Sequence, residues 1–169
     1  SSDLPSYIMT GYNDAQIREW FGQLSSTGKY EVSDDIKAKL KEEFSAGYCT
    51  DAETKDTIKR IFDKYSYTLD THSAVAVKVY EDYKAATGDT TKTVIASTAS
   101  PYKFSASVLE AIEGKKSDLD EYDMIDKLHE LSGYDIPESL AALRTKPVRF
   151  SKVISKDEQK NYVLGELGL

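Results

Sequence analysis

Apolar residues along this chain recur mostly at helical spacing, and one short continuous run breaks the rule. Ile17, Trp20, Phe21 and Leu24 fall at i, i+3, i+4 and i+7 behind Asn13, a good helix cap, so a first helix is expected there until residues 25–29 interrupt it. Ile36, Leu40 and Phe44 stand four apart and place a second helix after Ser33. Thr50-Asp51-Ala52-Glu53 is a capping box, in which hydroxyl and carboxylate reciprocally satisfy two backbone amides. Ile58, Ile61, Phe62 and Tyr65 are the stripe that the third helix is expected to bury. A fourth helix opens near Thr71 and continues through Tyr83. Its apolar residues Ala74, Val75, Val77, Val79 and Tyr80 point in several directions, which predicts burial on several sides.

The exception is Val94-Ile95-Ala96, a run suited to a strand covered on both faces. Ser97, Thr98 and Ser100 follow at its carboxyl end, where ligands of open α/β sheets gather. Ser100 as N-cap and Pro101 at the first helical position turn the chain into a helix that should reach Glu113 and stop at Gly114. Met124, Ile125, Leu128 and Leu131 predict a further helix ended by Gly133, and residues 137–143 a shorter one. Residues 148–154 suggest a late strand, and Ser155-Lys156-Asp157-Glu158 a second capping box before a terminal helix. The expected fold is therefore α/β: predominantly helical, with one central buried strand and few others. A lone strand cannot make a sheet, so residues 93–97 should be under-paired, or pair with residues 44–49 or with another copy of the chain.

Composition narrows the function. A length of 169 residues suits a single compact unit, taken here as residues 9–169. A net charge of -7, with bases interleaved among acids, argues against a nucleic-acid surface. No apolar run approaches the roughly twenty residues of a membrane span, and no signal-peptide pattern is present, so a soluble cytoplasmic protein without a membrane partner is the simplest expectation. Cys49 is the only cysteine and His72 and His129 the only histidines, which leaves no intrachain disulfide and makes a metal site improbable. Twelve tyrosines against five phenylalanines are common where a surface meets a partner, and a homo-oligomer is compatible with that excess.

Two motifs taken together, Asp70-Thr71-His72-Ser73-Ala74-Val75-Ala76 and Ser97-Thr98-Ala99-Ser100-Pro101-Tyr102-Lys103-Phe104, resemble the C-terminal part of the threonine synthase family. These are pyridoxal-phosphate (PLP) enzymes of the tryptophan-synthase-β-like fold type II. Members carry a DxHTAVA-like helix start followed by a strand ending in a TAxPxKF-like turn. The resemblance extends from about Met9 to the end and includes Gly28-Lys29-Tyr30-Glu31-Val32 and residues 46–59. Residues 1–8 match poorly: Ser1, Ser2 and Leu4 echo an SSNLERL-like segment, but Pro5 and Ser6 depart from it, so this stretch reads as a junction. Neither the family's Schiff-base lysine nor its Gly-rich, Asn-containing phosphate loop has a counterpart, and the nine glycines form no phosphate-binding motif.

The resemblance implies a fragment of an enzyme that converts O-phosphohomoserine and water to threonine and phosphate with PLP. Its partner would be the missing N-terminal part, no cofactor is expected on the fragment alone, and no catalytic residue is assigned to it. The family places a hydroxyl near the pyridine nitrogen, a role that falls on Thr98 with Ser97 as the alternative. The plainer reading is that these hydroxyls satisfy backbone groups at a turn. His72, at a helix start, is a candidate for binding substrate phosphate or carboxylate, against the reading of a histidine that only holds the turn. Ser73 replaces the family's usual Thr and keeps the hydroxyl. Lys103 lies outside the family's lysine motif and reads as structural or anion-facing, and Cys49 as a small filler. The competing readings are a non-catalytic helical binding or assembly module and another fold-type-II PLP lyase, such as a dehydratase.

Overall fold

The computed structural model describes residues 3–169, and every regular element among them is helical. Helix α1 (Asp3–Met9) lies mostly within the stretch expected to be a junction; Ser1 and Ser2 lie outside the described residues. It packs on α2 (Asp14–Thr27) and α3 (Asp34–Glu43). Asn13 caps α2 as expected, its side chain accepting from the Gln16 amide at 3.1 Å. The α2 stripe is only half covered: Trp20 is buried and stacked on Tyr30 with centroids 5.9 Å apart, while Phe21 and Leu24 are exposed. Ser33 stands at the α3 N-terminus without a side-chain capping bond, and Ile36 is the residue that α3 buries.

The main core lies among α4 (Asp51–Tyr65), α5 (Thr71–Thr87), α6 (Ser105–Glu113) and α7 (Glu121–Ser132). Helix α6 is central, touching both α4 and α7, and its Val108 and Leu109 are fully buried with Ile58 of α4 and Leu128 of α7. The capping box at α4 forms: Thr50 Oγ1 accepts the Glu53 amide at 3.3 Å and Glu53 Oε2 accepts the Thr50 amide at 2.7 Å. Ile61 and Phe62 pack against the core, but Tyr65, expected in the same stripe, points into solvent. Arg60 grips Glu81 with two bonds of 3.0 and 2.6 Å, tying α4 to α5. Gly47 lets the segment before α4 approach α5, since a Cβ there would meet Val79 Cγ1 at 2.9 Å.

The central strand is not formed. Residues 93–97 carry no ladder, and Val94 is 90% exposed. The apolar run reports a demand for cover on two faces; Ile95 is half-buried, but no described segment supplies a neighbouring strand. Residues 44–49 run without regular structure, and the late strand expected at 148–154 is likewise absent, with Val148, Phe150 and Val153 in solvent. Helix α5 reflects the same lack: Ala74 is fully buried, but Val75, Val77, Val79 and Tyr80 are only half-buried, not enclosed on several sides. The fold is therefore predominantly helical, without the expected strand.

The helix expected from Pro101 to Glu113 is divided. A 3₁₀ turn covers Pro101–Phe104, and α6 begins only after Phe104, whose backbone at φ -127 and ψ 37 leaves the helical region. Gly114, at φ 73, ends α6 where the pattern puts the stop. A short α8 (Glu138–Ala141) and α9 (Gln159–Glu166) follow, the latter after a second capping box in which Glu158 Oε2 accepts the Ser155 amide at 2.9 Å. None of the described helices is long and apolar enough to cross a membrane.

Candidate functional site

Asp70 is the centre of the most highly bonded polar group near the turn. It is the N-cap of α5, with a side chain 0% exposed. Its Oδ1 accepts the amides of His72 at 2.8 Å and Ser73 at 3.3 Å, which anchors the first turn of the helix. Its Oδ2 accepts the Ser73 hydroxyl. Ser73 Oγ in turn lies 2.8 Å from Ser97 Oγ, across 24 residues of chain. The two motifs singled out in the sequence thus meet, through serines.

Protons fix the direction of this chain of bonds. A carboxylate only accepts, and a serine hydroxyl has one proton with lone pairs to spare. The Ser73 proton goes to Asp70, so the Ser97 hydroxyl donates to Ser73 Oγ. Ser97, on the exposed turn, therefore points its proton inward and offers lone pairs outward. Thr98 is exposed and its hydroxyl meets no partner among the described residues, which leaves its proton available. Ser100 fulfils the plainer role, accepting the Tyr102 amide at 3.3 Å as cap of the 3₁₀ turn. Tyr102 is buried beyond it and donates its hydroxyl to the carbonyl of Tyr134; burial pushes this phenol above its ordinary value of 10.0.

His72 sits on the rim of a hollow of about 410 Å³ shared with Cys49, Lys55, Thr71, Phe104 and Ser107. Its ring centre is 5.0 Å from that of Phe104, its Nδ1 is 3.4 Å from Asp70 Oδ1, and its side chain is 69% exposed. No hydrogen bond joins it to Ser97 or Thr98 among the described residues. Cys49 is half-buried with Sγ 3.2 Å from Thr54 Oγ1, and Lys103 is exposed with Nζ 5.5 Å from the Phe104 ring centre. No group of three or more His, Cys, Asp and Glu is placed to hold a metal ion among the described residues. Asp70 was not singled out from the sequence. The signal was available, because an acid immediately before Thr71, with Ser73 three positions on, is an N-cap arrangement.

On the other side of α5 an open groove of about 630 Å³ runs between Phe44 and the segment carrying Val94 and Ile95, floored by Ala76, Val79 and Tyr80. The unformed strand is one of its walls.

The family model for the C-terminal part of threonine synthase matches residues 73–163, which hold Ser73, Ser97 and Thr98. The chain belongs to the threonine synthase family. It corresponds to the C-terminal portion of threonine synthase from Saccharomyces cerevisiae, with 30% identity over 158 residues, covering 89% of this chain and 29% of that protein. The crystal structure of yeast threonine synthase superposes with a TM-score of 0.65 at 26% identity, covering 91% of this chain and 30% of that one. The PLP-bound threonine synthase of Brucella melitensis gives a TM-score of 0.56 at 28% identity, covering 78% of this chain and 26% of that one. The chain thus spans less than a third of the length of these threonine synthases.

Proposed function

We infer that this chain is the C-terminal part of a PLP-dependent threonine synthase, acting on O-phosphohomoserine and water to give threonine and phosphate. The observation that carries the reading is the exposed, unbonded Thr98 hydroxyl beside a Ser97 tied to the buried Asp70, within the stretch matched to the family. A neutral hydroxyl suits an unprotonated pyridine nitrogen, and the turn 97–100 contains no acid that would demand a protonated ring. The residues present therefore fit PLP. When bound, the cofactor supplies an electron sink for carbanion chemistry on the substrate.

This chain's own part is orientation. Thr98 would donate to the pyridine nitrogen and so help to hold the cofactor, while Ser97 braces the turn. His72, exposed and seated against Phe104, contacts an anionic group of the substrate. Lys103 is turned to solvent, and the lysine that anchors the cofactor belongs to the N-terminal part, so the chain alone is inactive. That N-terminal part also covers the groove on α5, laying a strand beside residues 93–97 and giving the exposed Val94 its missing neighbour.

The test is to express the complete reading frame that contains this chain and to measure phosphate release from O-phosphohomoserine with and without PLP. PLP-dependent release, with threonine as the second product and none from the chain alone, is expected. A complete product that binds PLP yet forms no threonine would overturn the substrate assignment.

A further inference from the structure

We propose that Asp70 is a positioning residue for the cofactor: through Ser73 it holds the Ser97 proton inward, keeps Ser97 from donating to the ring nitrogen, and so assigns that role to Thr98. The inference rests on the PLP reading above and adds to it a buried group that never touches the cofactor.

The geometry supports each link. Asp70 is fully buried and both its carboxylate oxygens are engaged: Oδ1 by two amides, Oδ2 by the Ser73 hydroxyl. Ser73 is itself buried, so no solvent competes for its proton, and its remaining bond is to Ser97 at 2.8 Å. The relay has a polarity only because it ends in a group that cannot donate. Replacing that end by an amide reverses it. In Asp70→Asn, the oxygen remains where the His72 and Ser73 amides hold it, because only an acceptor satisfies them. The nitrogen then occupies the place of Oδ2 and donates to Ser73 Oγ. Ser73 must turn its proton to Ser97, and the Ser97 proton is released outward. Asn is also a good N-cap, so the helix start is retained.

The experiment uses the full-length PLP enzyme containing this chain and reads PLP dissociation and the cofactor absorption band. Thr98→Val is expected to weaken PLP by about tenfold, the scale of one lost hydrogen bond in a dry site, and to move the band. Asp70→Asn combined with Thr98→Val should recover most of the lost affinity and return the band, because Ser97 then donates in place of Thr98. Ser73→Ala in the Thr98→Val background frees the same proton by another route and should give the same recovery, which covers the case of a poorly folding Asp70 variant. A double variant no better than Thr98→Val, by either route, overturns the relay while the PLP reading stands. Thr98→Val and Ser97→Ala that both leave affinity and band unchanged would instead overturn the PLP reading at this turn, and the relay with it.

Discussion

Ser97 Oγ lies 2.8 Å from Ser73 Oγ, the bond that joins the exposed turn to the buried start of α5. The two serines contribute unequally to stability. Ser73→Ala removes the hydroxyl donor of a buried carboxylate oxygen and should cost about 1–3 kcal/mol. Ser97→Ala removes only an exposed donor, and Ser73 keeps its bond to Asp70, so the loss should stay within about 0.5 kcal/mol. Urea denaturation of the two variants reads the difference. Equal losses would mean that Ser97, not Asp70, is the partner on which Ser73 depends.

Glu53 gives α4 a pH dependence. The Thr50 backbone amide, then the Thr50 hydroxyl, hold its carboxyl below the ordinary value of 4.5. The folded value is the lower one, so the contribution is complete above pH 4.5 and is lost as pH falls through the folded value. Glu53→Gln keeps an acceptor for the capping box but does not titrate. Its stability, followed by denaturation at pH values from neutral downward, should fall less steeply below pH 4.5 than that of the parent. Parallel curves would remove Glu53 from the acid response.

Gly47→Ala tests the close approach of the segment before α4 to α5. The added Cβ would lie 2.9 Å from Val79 Cγ1, and a β-branched valine in a helix has one strongly preferred rotamer with which to yield. A loss of about 1–3 kcal/mol is expected, as for overpacking elsewhere. Trimming the neighbour with Val79→Ala should relieve most of it, so the double variant should be more stable than the sum of the single changes. Strict additivity in denaturation would show that the two sites do not press on each other.

What could be read from the sequence was local. The Thr50 capping box, Asn13, Ser100 and Gly114 act within a few residues of chain, and each is found in its expected role. Val94-Ile95-Ala96 was misread because an apolar run records what a segment needs around it, and here nothing described in the chain meets that need. Phe21, Leu24 and Tyr65 mislead for the same reason: helical spacing marks a face, not what covers it. At the candidate site, Ser97 and Thr98 were visible as hydroxyls after an apolar run. Their difference was not, because it depends on Ser73 and Asp70 arriving from 24 or more residues earlier in sequence.

Val94 separates stability from assembly. With 90% of its surface in solvent, Val94→Asp should change the stability of the isolated chain by no more than about 0.5 kcal/mol. Leu109→Ala, which empties a fully buried position in the core, should cost about 2–5 kcal/mol. In the proposed assembly with an N-terminal part, the order should reverse in kind. A strand laid beside residues 93–97 would bury the new carboxylate unpaired, so Val94→Asp should block association of this chain with a separately expressed N-terminal part, read by co-purification. Association that survives Val94→Asp would mean that the N-terminal part does not cover this wall of the groove. A large loss of stability in the isolated chain would mean that the chain already buries Val94 on its own.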